Sequence, residues 1–448
     1  MTEHRTLKLT CLCTAILVTG IAAAGTAQFA GGTGEPNAPY QIATREQLIA
    51  LGNDPNLWDR HFILTSDLDM KGADPNAMHP IGGVEGRSFC GVFDGRGHRV
   101  SGLRILRQND PWVGLFGQVG GEGIDVSEGT PKGHIRNLHL RDIVVHGGNV
   151  VGGLAGQLGA GTITGCSVTG AIKGNELVGG LVGWACGEIE SCSTAVEADG
   201  NLNVGGLIGD ADASVTHCAS SGNVRGHQRV GGLIGTMGFS PNTGMWQSSS
   251  PETKECRRVS RCYSDCSTTG VEDVGGLIAD VVGGGEIQDC YALGPVHGST
   301  KVGGLIGMAW RCCIVRCYSA GQVTGQEHTG GLVGENESVR NPEKLAGYPP
   351  CQFVVEEIRG SPSSPDKPMW QHVYRPAILC CFWDAEASSM TQGLGSGTDA
   401  QGGIVRLTTA EMRTASTFRN FGWDFDDVWT IREGQDYPRL RWEQAESR

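Results

Sequence analysis

Apolar positions along this chain come in short runs. Val, Ile and Leu appear two or three at a time, and Gly, Asn, Asp or Ser closes each run. One run recurs: VGGLAG at 151, VGGLVG at 178, VGGLIG at 204 and again at 230, VGGLIA at 274, VGGLIG at 302 and TGGLVG at 329. The steps are 27, 26, 26, 44, 28 and 27 residues, and VGLFG at 113–117 is a degenerate earlier copy. A second marker keeps pace, an Ile or Val followed by a Cys. The pairs are Ile163 and Cys166, Ile189 and Cys192, Val215 and Cys218, Val259 and Cys262, Ile287 and Cys290, and Val315 and Cys317. Cys381, before Phe382, continues the column.

Each unit of about 27 residues therefore holds two or three short β-branched runs bounded by turn residues, which predicts strands. Paired Gly and β-branched residues are poor helix formers. A unit this small cannot bury a face alone and must stack on its neighbours. Stacked equal units make parallel sheets with equivalent residues about 4.8 Å apart. The expectation is an all-β parallel β-helix (β-solenoid) of about 26–28-residue coils with three short faces each. A propeller is the competing architecture, but its blades need about 40 residues or more. Val and Leu of V-G-G-L have opposite strand parity. The Gly pair allows a bulge or corner that can turn both side chains inward. Val, Leu and Cys are each expected to form an inward ladder.

Beyond the repeats, "PYQIATREQLIALGNDPNLWDRHFILTSDLDM", "FCGVFDGRGHRVSGLRI", "CFWD", "TTAEM", "STFRNFGWDF" and "VWTIREGQDYPRL" stand before and after the array. Together with GLVG and GLIG these stretches resemble the GLUG motif family of secreted bacterial proteins. The resemblance implies an extracellular protein with a β-solenoid and implies no reaction. GLUG repeats also accompany some immunoglobulin-cleaving metallopeptidases. Their H-E-x-x-H motif is absent from this sequence, so that activity is not carried over.

The ends and interruptions divide the chain further. Residues 1–27 read as a cleaved signal peptide, with Arg5 and Lys8 before an apolar run, and an uncleaved anchor is the competing reading. Residues 28–112 read as an N-terminal cap and first coils, in which Thr44-Arg45-Glu46-Gln47 is a capping box opening a short helix. The repeat solenoid occupies 113–334, with an insertion at about 239–258. A Pro-rich insertion follows at 335–380, and 381–448 holds the final coil and a C-terminal cap. Phe421, Trp423, Phe425, Val428 and Trp429 are read as the closing coil and its plug. Both insertions leave the repeat after GGLxG and before the Cys, so they emerge from one edge. Trp246, Trp370 and Tyr374 in the insertions, with Trp310 between them, are the candidate binding residues.

Composition narrows the function. Lys and Arg (35) fall below Asp and Glu (48), a formal net charge of −13, which argues against a nucleic-acid partner. Gly reaches 71 of 448 without a collagen period, so it is placed position by position. Nothing after the signal peptide reads as a membrane span. The ladder residues Cys166, Cys192, Cys218, Cys262, Cys290, Cys317 and Cys381 are expected to be buried free thiols, because the coil spacing exceeds the Cβ separation of a disulfide. Cys256, Cys266, Cys312, Cys313, Cys351 and Cys380 are better placed for bridges, in or beside loops. No Cys/His set has zinc spacing, and no cofactor is expected. Asp67/Asp69, Asp94, Asp210/Asp212, Asp280 and Asp384/Glu386 are the carboxylates available for catalysis. The reading is a secreted or cell-surface scaffold without catalysis, for adhesion, matrix or glycan binding. Its partner would be an extracellular glycan or protein. The alternative is a secreted carbohydrate-active β-helix enzyme, which needs paired carboxylates, or a carboxylate with Lys or Arg, across a groove.

Overall fold

A computed structural model describes residues 28–444, apart from 84–85, 122–129, 239–256, 283–284, 311, 338–353, 359–368, 374–376 and 400–401. For 354–358, 369–373, 377 and 444 it describes the backbone alone. The coil that carries Val178 shows the plan. Glu176–Gly179 forms a first wall, Val182–Ala185 a second, Glu188–Glu190 a third and Ser193–Asp199 a fourth. The next coil repeats the plan with Leu202–Gly205, Ile208–Ala211, Ser214–Thr216 and Ala219–Arg225. Among the described residues the walls are sheets of seven, nine, eleven and fourteen strands, and strands within them pair in parallel. The stack is thus a parallel β-helix. Val151, Val178, Val204, Val230, Val274, Val302 and Thr329 occupy successive register positions.

Four walls replace the three faces expected from sequence, because VGGLIG is two strands joined at a corner. Its glycines explain the corner. A Cβ on Gly205 would stand 1.9 Å from the Ile208 carbonyl oxygen across the turn. On Gly206 it would stand 2.1 Å from the Gly232 carbonyl of the next coil. On Gly209 it would press on the Leu177–Val178 backbone of the coil before, at 2.6 Å. The first two are Gly in all seven full copies, whereas the third is Ala279 in one. Side chains are excluded at the first two positions, and the third admits one methyl where the backbone opens.

Val204, Leu207 and Ile208 point into a continuous core that also holds Val215 and Cys218. In the coil of Cys317 the third-wall core residue is Ile314, paired with Ile287, and not Val315. The ladder cysteines do more than fill space. The residue before each of them, Gly165, Ser191, His217, Arg261, Asp289, Arg316 and Cys380, turns the third corner with positive φ. That turn takes the next N–H out of the regular ladder. The Cys218 N–H donates to Cys262 Sγ at 3.4 Å, and the Cys262 N–H donates to Cys290 Sγ at 3.4 Å. Cys262 Sγ in turn donates to the Ser260 and Val215 carbonyls at 3.2 and 3.6 Å. A thiol is apolar enough for the core and still closes the hydrogen bonds of a corner.

The N-terminus is capped as expected. Thr44 and Gln47 form the capping box of helix Arg45–Asn53, which buries Leu48 and Leu51. At the other end Trp383 lies inside the last coils, against Gly331 and Gly393. The Trp423 and Trp429 segment is no plug. Residues 408–443 run back along the outside of the fourth wall and bury a second aromatic cluster there. That wall offers an outward column of Tyr263, Tyr291 and Tyr318, stacked 5.0 and 5.1 Å apart, continued by Phe382. Earlier coils carry His139, Ser167, Ser193 and Ala219 at this position. The strap is pinned by Tyr437 OH to the buried Asp384 carboxylate (2.8 Å), by Tyr318 OH to the Pro438 carbonyl (2.6 Å), and by Tyr291 OH to Glu443 (2.8 Å).

Two further expectations change. Cys266 is not in a loop but in strand Tyr263–Thr269, buried and unbridged, because its side chain faces the core. Cys312 is likewise a free core thiol, Cys313 lies in the third-wall strand Cys313–Val315, and Cys380 is a free thiol at a corner. Cys256 and Cys351 lie outside the described residues. The coil strands also extend into both insertions. Arg258 pairs in the third wall, Glu335 and Asn336 remain in the second, and Ala377–Leu379 is already third wall.

Candidate functional site

Two features of the corner geometry could carry function. The first is an edge. In the coils of Phe116, Ile234 and Val333 the chain between the second and third walls is long, running from Val119 to Gly133, from Met237 to Arg258 and from Asn336 to Ala377. Met237, Val281, Ala309 and Asn336 are successive register neighbours at the ends of second-wall strands. The two larger insertions therefore leave one edge three coil steps apart, about 14 Å. Trp310 follows Ala309 directly between their bases, half-buried, with its N–H donated to the Val281 carbonyl at 3.0 Å. Trp370 lies on Met369–Val373, which forms an antiparallel hairpin with Val354–Ile358 inside the second insertion. Trp246 and Tyr374 lie outside the described residues.

The second feature is a slot at the Gly-Gly corner that the sequence reading did not see. The residue before each hexapeptide copy, Val150, Leu177, Asn203, Arg229, Asp273, Lys301 or His328, has φ between 49° and 59°. This left-handed bulge turns its side chain out of the strand alternation. Val150 and Leu177 are buried yet stand apart from the main core. The bulge brings residue i beside residue i+7, across the corner. The Asn203 amide donates to Asp210 Oδ2 at 3.4 Å, and His328 Nδ1 lies 3.3 Å from Glu335 Oε2. Every coil thus presents a variable pair around an invariant turn: Leu177 with Trp184, Asn203 with Asp210, Arg229 with Thr236, Asp273 with Asp280, Lys301 with Met308.

Charge concentrates in the middle of the slot. Arg229 Nε lies 3.2 Å from Asp280 Oδ2 and 4.0 Å from Asp273 Oδ2. Lys301 Nζ lies 3.3 Å from both Glu272 Oε1 and Asp273 Oδ1. The Asp273 and Asp280 side chains are only 4% and 5% exposed. Burial pushes the Asp210 and Asp273 carboxyls up, Asp210 well above the carboxylate range. Burial and the neighbouring Asp273 charge push Asp280 up to about 7. A second pair, Arg257 with Asp212, stands at the far end of the second wall where the chain rejoins the coil after the first insertion.

The other carboxylates named from sequence have local structural duties. Asp94 accepts from the Arg96 N–H and pairs with Arg136, and Asp67 accepts from Arg99 N–H and meets His98. Asp69 accepts from the Lys71 N–H, Asp384 caps helix Ala385–Ser388, and Glu386 accepts from the Thr409 N–H. Among the described residues no group of three or more His, Cys, Asp or Glu side chains is arranged to hold a metal ion. Burial holds the thiols of Cys166, Cys262, Cys290, Cys317 and Cys381 well above their usual pKa. They are poor nucleophiles as they stand.

The signal for the slot was present in the sequence. Variable residues, most of them polar or charged, flank the recurring hexapeptide at fixed offsets, and only the sign of φ at the first flank was hidden.

The profile of the GLUG motif matches residues 147–173. Those residues run from the end of the fourth wall of one coil, through the four walls of the next. Halomucin of Haloquadratum walsbyi is 33% identical over 160 residues, 34% of this chain and 2% of that protein. A protein of Evansella cellulosilytica named as a Gly-rich membrane protein is 35% identical over 135 residues, 29% of this chain and 14% of that protein. The chain thus spans a small part of the curated relatives it matches. A solved structure from Bacteroides ovatus, named as an immunoglobulin A1 protease, aligns over 93% of this chain and 96% of that one, with 17% identity and a TM-score of 0.37. By motif and by register, this chain carries the GLUG motif and is built as a parallel β-helix.

Proposed function

We propose that this chain is an extracellular or cell-surface scaffold, and that it binds a glycan or protein partner along the edge where its insertions leave the stack. One observation carries the reading. The bases of the two large insertions sit in register on a single edge, three coil steps apart, with Trp310 between them. A stacked β-helix fixes that spacing, so two loops built on it act as one surface. The loops are where this sequence places Trp246, Trp370, Tyr374 and several arginines, residue types that dominate binding hot spots. The leader-like N-terminus and the net charge of −13 fit an exported protein with no nucleic-acid partner. One relative is by its name a membrane protein.

A glycan array and a cell-binding assay on the mature chain test this. Loss of binding in a Trp246/Trp370 double alanine variant with unchanged thermal melting supports the edge. Equal binding by variant and wild type refutes it.

The enzymatic alternative draws on Asp273 and Asp280 beside Arg229 and Lys301. These carboxylates are almost wholly buried, and a polymer would have to part the coils to reach them. The scaffold reading is therefore preferred.

A further inference from the structure

The left-handed position before each hexapeptide stacks into a column of Val150, Leu177, Asn203, Arg229, Asp273, Lys301 and His328. Lys301 is the member that carries a primary amine, and its neighbour one coil back is Asp273, because Val274 and Val302 pair in register. Lys301 Nζ lies 3.3 Å from Asp273 Oδ1. Asp273 Oδ1 is nevertheless buried without a hydrogen-bond partner, so the amine meets the carboxyl closely without the alignment of a hydrogen bond.

Two further groups complete the cluster. Glu272 Oε1 accepts from Lys301 Nζ at 3.3 Å, Glu272 Oε2 accepts from Gln228 Nε2 at 3.4 Å, and the Glu272 side chain is 42% exposed. Arg229 Nε lies 4.0 Å from the other Asp273 oxygen, Oδ2, and 3.2 Å from Asp280 Oδ2. An amine, a buried carboxyl, a proton carrier open to water and a cation beside the second oxygen are the parts of an amide condensation. A buried ion pair is costly to keep. Removing the Lys301 and Asp273 charges together leaves Arg229 paired with Asp280 and Glu272 in water, so no buried charge is stranded.

We propose that Lys301 Nζ and the Asp273 carboxyl condense to an isopeptide bond between adjacent coils, with Glu272 as the proton carrier.

The step balances. Glu272 relays one ammonium proton to Asp273 Oδ1, and the freed amine attacks Cγ. The Nζ–Cγ bond forms and the Cγ–Oδ1 bond breaks. A second Nζ proton, again carried by Glu272, departs with Oδ1 as water, and the third stays on the amide nitrogen. Oδ2, beside Arg229, holds the negative charge of the tetrahedral intermediate and remains as the amide oxygen. No oxidant or other reactant is consumed. Burial raises the Asp273 pKa and so favours the acid that is attacked. Burial lowers the Lys301 pKa, but the Asp273 and Glu272 charges raise it further, so the ion pair is the resting form and the relay sets the pace. Fixed proximity stands in for chemical activation of the carboxyl.

The bond joins the two coils that lie between the insertion-bearing coils of Val230 and Thr329. It would lock that spacing covalently whether or not the edge binds a partner.

Tryptic mapping of the purified wild-type chain by mass spectrometry tests the proposal. Trypsin cuts after Arg261, Lys301 and Arg311, and no other Lys or Arg lies between these sites. The expected product is a single peptide, 262–311, lighter by one water, uncut at Lys301 and giving no fragment ions from cleavage between Asp273 and Lys301. Separate peptides 262–301 and 302–311 at full mass overturn the proposal. So does a peptide that has lost water but ends at Lys301, which marks an imide on an aspartate instead. Glu272→Gln, at a half-exposed position, should give the two separate peptides at full mass. A cross-link as complete as in wild type would overturn the role of Glu272. If that variant fails to fold, the wild-type map decides alone.

Discussion

Replacing Cys262 with Ala isolates the role assigned to the thiol column. Cys262 Sγ accepts the Cys218 N–H at 3.4 Å and donates to the Ser260 and Val215 carbonyls. Ala leaves the Cys218 N–H buried without a partner. An orphaned buried donor costs about 1–3 kcal/mol, and a weak sulfur acceptor puts this case near the low end, about 1. Losing the buried sulfur removes apolar contact comparable to one methylene, about 0.8 kcal/mol. The total is about 2 kcal/mol, or a fall of about 2–4 °C in melting temperature. Coils of a solenoid unfold as neighbours rather than all at once, so a local probe is sharper. Amide hydrogen exchange should show the Cys218 N–H losing protection while Val151 and Val333 keep theirs. Cys262→Ser, which keeps an acceptor, should restore part of that protection. Full protection of the Cys218 amide in the Ala variant would refute the hydrogen-bond role and leave the column as packing alone.

Gly206→Ala places a methyl 2.1 Å from the Gly232 carbonyl and should cost more than 4 kcal/mol, read as loss of soluble protein. Gly209→Ala should be milder, because Ala279 already fills the equivalent position. Tyr437→Phe removes one of the hydrogen bonds to buried Asp384 and should loosen the strap by about 1–3 kcal/mol. Limited proteolysis would then cut within 408–443 before it cuts the coils, and equal cutting of variant and wild type would refute the pinning. Thiol labelling should leave Cys192 and Cys218 untouched until denaturant is added, and a Cys192–Cys218 disulfide peptide from the unreduced chain would contradict the free ladder.

The sequence made the stack legible because every coil solves the same packing problem with the same residues. Val204, Leu207, Val215 and Cys218 each recur at one period, and period alone implies stacking. The number of walls was not legible. It depends on the angle at Gly205-Gly206, set by carbonyl contacts between coils rather than by residue type. The strap was misread for a related reason. Trp423 and Trp429 look like end-filling residues, and their partners are Tyr291 and Tyr318, more than a hundred positions earlier on the outside of a wall. The pairing of Asp273 with Asp280 was hidden by a backbone bulge. In a regular strand the residue before Val would not approach the residue three beyond Leu, and positive φ at Asp273 is what brings the two columns together.

The central claim is that VGGLxG turns the same corner in every coil and so holds the columns one coil step apart. An experimental structure of the mature chain tests this most directly through the Cα separations of Val178, Val204, Val230 and Val274. The account predicts about 4.8 Å between successive members, with the 44-residue step across the first insertion no longer than the 26-residue steps beside it. Separations that grow with the sequence interval, or valines on different faces, would contradict it.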